Sequence, residues 1–512
     1  MIKADNIKLP PGYSEADVKH AAAKKLNTSA GNIKEIKIIR KSIDARKNPQ
    51  YVLSLAVDLK NYDGIKGEEY EETKPIYIIK KKFKKRPVVV GFGPAGMFAA
   101  YVLAKSGAEP VIIERGTEAA KRKADIDMFT KGAAFSENSN IQFGEGGAGM
   151  FSDGKLATGI KSPYIKNIFE TFVKCGAQEE ILYSAKPHIG SDVLPKVVTN
   201  LRREIENLGG VFRFETPLTG IKLNDGRVCA AVCGEEEIET DNILLSVGHS
   251  ARDTFRMLYD LGAELEAKPF AIGCRIEHLQ KDINRAQYGN AADMFPPADY
   301  KLSCHLKSGY SVYTFCMCPG GYVVNSASEN GTIVTNGYSE SGRDGENANS
   351  ALLVGISPQM LGGDLWAGIN LQKDIEKRAF DISGSNKAPC QTVGDFLKGR
   401  ASQTFGKIRP TFSTGVIPSD ISLCLPRFVT DALREGIIEF AKKIRGFDSS
   451  DALLTAPETR SSSPVRMVRG EDMQSNIKGL FPAGEGSGYA GGITSSAVDG
   501  IRSALKMIEL VL

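Results

Sequence analysis

The sequence predicts an α/β protein: a discontinuous domain of alternating strands and helices, an inserted mainly antiparallel β domain, and a small N-terminal α/β domain. An apolar strand at 87–90 runs through a glycine-rich turn into a helix, and strands and helices alternate to about residue 261. Short strand-forming runs separated by turn residues occupy about 265–468. After Gly479 the order returns to strand, glycine-rich turn and helix. The predicted domains are 1–82, 83–264, 265–468 and 469–512, of which the second and fourth form one unit.

Local signals place the individual elements. Ser14 and Asp17 have capping-box spacing and predict a helix that ends near Leu26. The remaining predicted elements are strands at 33–43, 51–59, 110–113, 242–247, 310–316, 321–324 and 331–335, and helices at 95–106, 428–444 and 493–510.

Composition narrows the class of protein. The chain has 512 residues, too many for one compact core, and a net charge of +4, which provides no strong attraction for nucleic acid. The run Lys80–Arg86 is strongly basic, but it is short and leads into a buried strand, so a solvated linker is favoured over a nucleic-acid or membrane patch. Nine cysteines without framework spacing, and no apolar run long enough to span a bilayer, predict a cytoplasmic protein without a membrane partner. The oligomeric state stays open.

The most informative motif begins at the strand 87–90. Gly91, Gly93 and Gly96 follow this strand in GxGxxG spacing, and Glu114 ends the next strand about 20 residues later. In a Rossmann-like unit the first glycine makes the turn, the second admits a pyrophosphate and the third lets the helix pack closely. The helix N-terminus then faces the phosphates, and the carboxylate accepts ribose hydroxyls. The motif therefore predicts a dinucleotide site.

Pro94 and Ala95 within this motif, and Arg115 after Glu114, make it resemble the FAD-binding domain of glutathione-reductase-type two-domain flavoproteins. Two distant segments strengthen the resemblance: the strand that runs into Gly248, and the sequence LFPAGE ending in Gly484 and Glu485. The resemblance implies that Glu485, in place of the commoner Asp, binds the ribitol of FAD. It also implies that the helix entered through Gly491, Gly492 and Ile493 points its N-terminus at the flavin pyrimidine.

A third block brings the chain closer to a bacterial family of poorly characterised FAD-dependent dehydrogenases. The block spans 139–156 and is accompanied by Arg122 and by the segment 315–321. Its glycine-rich loop is expected beside the isoalloxazine or the pyrophosphate, with a structural loop away from the ligand as the alternative. Lys155 either stabilises negative charge at flavin N1/O2 or is a surface lysine. The cofactor contacts expected from this block are Arg122, Gly146, Gly147, Ala148, Gly149, Ser152, Asp153, Gly154 and Lys155.

Candidate chemistry beyond the flavin is sparse. His249 follows the second flavin motif and is the best proton-donor candidate, or else it caps the following helix. Cys316 and Cys318 stand at i and i+2 of a predicted strand, where thiols rarely meet disulfide geometry, so buried apolar roles are favoured over redox-active ones. No metal-ligand motif is present.

The leading hypothesis is an FAD-dependent oxidoreductase, a dehydrogenase in which a small-molecule substrate exchanges a hydride with flavin N5. No second GxGxxG has the strand–turn–helix context, so no NAD(P)H domain is expected, and a nicotinamide would bind transiently. Two alternatives remain: a flavoprotein of RNA or cofactor modification, or a non-catalytic FAD-binding redox sensor.

Overall fold

The computed structural model describes residues 1–511 and has a mixed α/β fold, as predicted. The N-terminal unit consists of β1 (Ile2–Leu9), α1 (Glu15–Lys25), β2 (Ile33–Asp44) and β3 (Gln50–Leu59). Its antiparallel sheet has the order β1-β3-β2, and α1 begins at the predicted capping box between Ser14 and Asp17. The sequence reasoning missed β1, which pairs with β3 through its whole length apart from one bulge.

The next part of the chain alternates between strands and helices. Its elements are β4 (Val88–Val90), α2 (Pro94–Ser106), β5 (Val111–Ile113), α3 (Ala119–Thr130), α4 (Tyr164–Lys174), α5 (Leu194–Asn207), β6 (Val211–Arg213), β7 (Gly220–Asn224), β8 (Arg227–Cys233), β9 (Glu236–Glu239), β10 (Ile243–Leu245) and α6 (Arg252–Asp260). Strands β7, β8 and β9 form a separate antiparallel sheet.

The next part of the chain contains a second large sheet together with further strands and helices. The elements are β11 (Leu265–Ala267), β12 (Phe270–Leu279), α7 (Gln280–Tyr288), β13 (Ser303–His305), β14 (Ser311–Cys318), β15 (Tyr322–Asn325), β16 (Thr335–Tyr338), β17 (Asn347–Ile356), α8 (Ala367–Ser383), β18 (Ala388–Thr392), α9 (Val393–Leu397), β19 (Val416–Pro418), α10 (Arg427–Ala441), β20 (Leu453–Glu458) and β21 (Val465–Met467). The sheet order is β13-β14-β17-β12-β20-β18-β19, and every neighbouring pair is antiparallel except β18 and β19.

The chain then returns to the first large sheet through β22 (Leu480–Pro482) and ends in α11 (Ile493–Leu510). The parallel order β22-β10-β4-β5-β6 places the last strand beside β10, although more than two hundred residues separate them in sequence. Helices α2 and α11 pack so closely that a Cβ at Gly500 would lie 2.0 Å from the carbonyl oxygen of Ala95. The two segments therefore share one core.

The strand predicted at 331–335 is wrong in position, because β16 begins only at Thr335. Ile333 and Val334 are buried, as their apolar character suggested, but their backbone groups bond outside any sheet. Ile333 N–H donates to the Glu376 carbonyl of α8, and the Val334 carbonyl accepts from Ser326. Burial without a neighbouring strand cannot be distinguished from a strand by periodicity.

Within residues 1–511, no helix combines the length and apolar character needed to cross a membrane. The same residues contain no cluster of three or more His, Cys, Asp or Glu side chains arranged to hold a metal ion.

Candidate functional site

One cavity of about 520 Å³ lies where four parallel strands end against the second large sheet. The first residue after each of β4, β5, β10 and β22 lines it: Gly91, Glu114, Ser246 and Ala483. Open parallel sheets bind ligands at this carboxyl edge. The predicted residues that line this one cavity are Gly91, Gly93, Pro94, Ala95, Glu114, Arg115, Gly147, Ala148, Gly149, Ser152, Asp153, Lys155, Gly248, His249, Gly484, Glu485, Gly491, Gly492 and Ile493.

Three glycines predicted to contact the cofactor do not line the cavity, because each packs against another part of the chain. A Cβ at Gly96 would lie 1.9 Å from the Gly91 carbonyl oxygen, which is the close helix–strand approach expected of this position. Gly146 donates its N–H to Phe92 O over 2.9 Å and faces Met150. Gly154 lies at φ +64° against the backbone of Gly190. These glycines shape the loops and do not face the cavity.

Arg122 was predicted to contact the cofactor, and the structure corrects this prediction. The side chain is fully buried and does not line the cavity. Its guanidinium donates to five carbonyl oxygens of the glycine-rich loop, at distances of 2.7–3.3 Å: those of Asn140, Ile141, Gly144, Glu145 and Gly147. Nε, Nη1 and Nη2 all donate to this loop, and Nη1 alone serves three of the five oxygens. Arg122 therefore supports the loop from behind.

The carboxylate of Glu114 organises the dinucleotide motif. It is buried, and it accepts from Phe92 N–H at 2.9 Å and from the N–H groups of Gly116 and Gly144 at 3.0 Å each. A carboxylate has about four acceptor sites, so one remains for a ligand hydroxyl. Arg115, beside it, lies 4.5 Å from the ring centroid of Phe143 and donates to Asp253.

The glycine-rich loop and the first motif meet backbone to backbone. A Cβ on Gly147, which has φ +60°, would come 3.0 Å from the Gly93 Cα. The loop then forms a short 3₁₀ turn, Ala148–Phe151, and the Ser152 hydroxyl donates to the Gly149 carbonyl. Two glycine backbones in contact leave room for a ligand to approach N–H groups on both.

Lys155 belongs to the cavity, not to the general surface. Its Nζ lies 2.8 Å from Asp153 Oδ2 and 4.0 Å from Cys318 Sγ. Although burial opposes the charged form, Cys318 and Asp153 raise the pKa of Lys155 above its ordinary value. Asp153 also accepts from Arg343 Nε at 3.0 Å, and Lys155 and Arg343 outweigh burial to lower its pKa. Lys155 is therefore a fixed cation in the wall.

Glu485 lines the same cavity as Glu114. The turn before it is anchored by Asp499, which accepts from Gly484 N–H at 2.7 Å and is itself paired with Arg469. Burial raises the pKa of Glu485 to about 7. Beyond it, α11 begins at Ile493 after Gly492, and no side chain caps its first N–H groups.

His249 lines the cavity, and its role as a proton donor stays a prediction. Burial, with the nearby Arg460 and Arg252 cations, lowers its pKa to about 3 and so favours the neutral ring. The alternative, that it caps α6, is wrong, since the N-cap is Ala251 and no side chain bonds there. The ring contacts Ser250 Oγ at 3.2 Å and lies 4.0 Å from Glu485 Oε1.

The strand that carries Cys316 and Cys318 is not regular, as the sequence reasoning had assumed. Cys316 has φ +43°, and the pairing of β14 with β17 is irregular between Phe315 and Cys318. Both thiols are free; Cys316 lines the cavity, whereas Cys318 is fully buried and lies with its Sγ 3.3 Å from the Cys316 carbonyl oxygen.

Sequence reasoning missed two arginines in the wall, Arg343 and Arg460. Arg460 forms a buried cluster with Glu376 and Arg252, in which the two cations outweigh burial and lower the pKa of Glu376 to about 2. The available signal was a cation two residues after the buried strand β20. For Arg343, in a turn rich in polar residues, no local signal exists.

The cavity suits an extended dinucleotide. Helix α2, like α11, begins without a side-chain cap, so the N–H groups of its first turn are free to bind phosphate. One open acceptor site on Glu114, glycine backbone around Gly93 and Gly147, and the carboxylate of Glu485 supply the donors and acceptors that FAD requires.

Comparisons with known proteins agree with this geometry. A protein of Clostridium beijerinckii, described as uncharacterized, is 44% identical over 529 residues, which cover 99% of this chain and 98% of the relative. The family described as "FAD-dependent protein, C-terminal domain-like" matches residues 269–461, and a domain of unknown function matches residues 1–60.

Solved structures align over most of the chain, but with low sequence identity and low TM-scores. A geranylgeranyl bacteriochlorophyll reductase-like protein from Thermoplasma acidophilum is 13% identical, with 84% of this chain and 80% of that chain covered and a TM-score of 0.38. Glycine oxidase from Bacillus cereus is 11% identical, with 84% and 98% covered and a TM-score of 0.33. At these values the alignments carry no argument about activity. At 44% identity over nearly its whole length, the chain belongs to the same family as the C. beijerinckii protein, and the match of residues 269–461 to an FAD-dependent domain shows that FAD is its cofactor.

Proposed function

We propose that this protein is an FAD-dependent oxidoreductase that transfers a hydride between a small-molecule substrate and flavin N5. The observation that carries the proposal is the single cavity that unites Glu114, the loop 147–155 and the turn at Glu485, three segments far apart in sequence. When bound, FAD supplies the hydride-accepting atom that the chain itself lacks.

The residues divide along the length of the cofactor. Glu114 accepts a ribose hydroxyl of the adenosine, and the N–H groups at the start of α2 bind the pyrophosphate. Gly147–Gly149 extend this phosphate contact from the opposite side. Glu485 binds the ribitol hydroxyls, and α11 directs its positive N-terminal end at the flavin pyrimidine.

The wall beyond Glu485 is suited to stabilising negative charge that develops on the ring. Lys155 is held by Asp153, so its ammonium group cannot swing away, and α11 adds the partial positive charge of its free N–H groups. Phe315 of β14 and Tyr300, in the loop before β13, line the cavity on the side of the second sheet.

Substrate is expected to enter beside the N-terminal unit. A smaller cavity of about 280 Å³ is lined partly by β2 and shares Lys186, Pro187, Asp299 and Arg343 with the main cavity. The N-terminal unit is docked there by Lys41, whose N–H donates to Tyr183 O at 2.7 Å. This route would admit a small polar molecule, or transiently a nicotinamide, to the flavin.

The deciding experiment is anaerobic reduction of the purified holoprotein, followed by flavin absorbance, with NADH, NADPH and a panel of metabolites. Bleaching by one donor class identifies the substrate. Lys155→Met should slow this reduction while FAD stays bound, whereas Lys161→Met, at an exposed position outside the cavity, serves as the matched control. A bound flavin that no donor reduces would refute the proposal and favour a non-catalytic redox sensor.

A further inference from the structure

The Cys318 sulfur lies 3.3 Å from the Cys316 carbonyl oxygen, in a part of the strand that is irregular. Phe315 pairs with Ala351 and Cys318 with Asn349, so two residues of β14 stand opposite one residue of β17. In a regular strand the Cα atoms of alternate residues lie about 6.5–7 Å apart, and thiols at these positions do not normally meet. The bulge, with Cys316 in the left-handed region, departs from this regular geometry.

The unusual backbone at Cys316 is held in place from two sides. Arg275 Nη1 donates to the Cys316 carbonyl oxygen over 3.0 Å, and the Cys318 thiol donates to the same oxygen over 3.3 Å. Arg275 is itself fully buried and paired with Glu458. A conformation that is locally unfavourable persists only when its surroundings determine it in this way, and such conformations cluster at functional sites.

The charges around the pair favour a thiolate at Cys316. The neighbouring Cys318 thiol and the positive charges of Lys155 and Arg275 outweigh burial and lower the pKa of Cys316 to about 5. Burial raises the pKa of the thiols at Cys175 and Cys424 instead. The surroundings of Cys316 therefore favour the thiolate, the reactive form of a cysteine.

The two thiols differ in their access to the cavity. Cys316 lines the cavity together with Glu485, Gly492 and Ile493, at the end assigned above to the flavin. Cys318 has no exposed surface, and its Sγ lies 3.3 Å from the Cys316 carbonyl oxygen and 4.0 Å from Lys155 Nζ. One thiol is therefore open to the cavity, and the other is buried next to it.

We propose that Cys316 and Cys318 form a redox-active dithiol that exchanges two electrons with the bound FAD. The inference requires the flavin position proposed above and goes beyond it, because it gives the protein a second redox centre.

The exchange balances without another reactant. The Cys316 thiolate and the Cys318 thiol together lose two electrons and one proton as the S–S bond forms. Oxidised flavin takes up these two electrons and one proton at N5, giving the anionic reduced form. In the reverse direction, reduced flavin opens the disulfide and restores the thiolate and the thiol.

The test is a reductive titration of the air-oxidised holoprotein, prepared without added thiols and titrated anaerobically with dithionite. A flavin alone takes up about two electrons, whereas a flavin with a disulfide takes up about four. We expect about four for the wild type and for Cys304→Ser, a cysteine outside the cavity, and about two for Cys316→Ser and Cys318→Ser. Uptake of about two electrons by the wild type would overturn the proposal.

Mass spectrometry keeps the test decisive if a serine variant does not fold. The wild-type peptide that contains both cysteines should resist alkylation after air oxidation and accept two alkyl groups after titration. Two free thiols in the air-oxidised protein would refute the dithiol. Failure of every metabolite to bleach the flavin would count against the proposed substrate oxidation alone, because the electron count does not depend on it.

Discussion

Replacing Glu114 by Gln removes the negative charge at the end of β5 and keeps the size of the side chain. In the wild-type protein the N–H groups of Phe92, Gly116 and Gly144 donate to the two carboxylate oxygens. The amide of Gln has one acceptor oxygen, and its NH₂ group cannot accept, so at least one buried donor loses its partner. Such a donor costs about 1–3 kcal/mol, and E114Q should lower the free energy of unfolding by about this amount.

The same change weakens the cofactor contact. A hydrogen bond to a charged acceptor contributes about 1.5–3 kcal/mol and one to a neutral acceptor about 0.5–1.5 kcal/mol. The difference of about 1–1.5 kcal/mol corresponds to FAD binding that is about five- to tenfold weaker. In Glu114→Ala all three N–H groups lose their acceptor. Three unsatisfied donors cost about 3–9 kcal/mol of unfolding free energy, which approaches the whole stability of a domain.

The assay is titration of flavin-free protein with FAD, followed by quenching of flavin fluorescence, together with thermal unfolding. Glu239→Gln provides the control, because its carboxylate is largely exposed and forms only a long contact with Lys85. If E114Q bound FAD and unfolded in the same way as E239Q, the reasoning about Glu114 would be refuted.

Three further changes probe other parts of the site. Gly96→Ala would put a Cβ 1.9 Å from the backbone oxygen of Gly91, so we expect destabilisation of about 1–3 kcal/mol or more and loss of FAD on purification. Gly159→Ala is the control: its Cβ would have no atom within 4 Å, and this variant should retain both its stability and its flavin. Arg122→Lys leaves one nitrogen to serve five carbonyl groups, so the glycine-rich loop should be less firmly held. The Kd for FAD should then rise, although the residue does not face the cavity. An unchanged Kd would contradict its supporting role. Burial raises the pKa of Glu485 from 4.5 to about 7, so in this pH range the folded, FAD-free protein holds a proton that the unfolded chain has released. Its stability should therefore fall as pH rises from about 4.5 to about 7 and level off above, and E485Q should lose less apparent Tm between pH 5 and pH 8; parallel profiles for both proteins would exclude this origin.

The cofactor-binding segments could be predicted because their requirements are local. The turn at Gly91 needs a positive φ, and Gly96 needs the absence of a Cβ, so the residue type itself reports the backbone geometry. The strand before each turn is apolar and buried, and the helix after it is apolar or small-residue on its packing face. Each of these features can be read from a few consecutive residues.

The chemistry around the flavin could not be predicted in the same way. Arg122 was grouped with the expected block as a cofactor contact, yet it does not line the cavity and instead donates to carbonyl groups of the glycine-rich loop. Arg343 comes from a turn whose composition suggests only exposure, and tertiary packing brings it onto Asp153. The strand pattern around Cys316 implied regular geometry, whereas a bond from Arg275 holds the bulge open.

By itself the sequence determined that a strand, a glycine turn and a helix would form a dinucleotide site, since steric limits on the backbone act between neighbouring residues. Only the tertiary structure decided which charges face that site and that a cysteine pair lies at its wall. The contacts that do so join Lys155 to Cys318 and Arg275 to Cys316, residues 163 and 41 positions apart, and no local pattern encodes the distances between them.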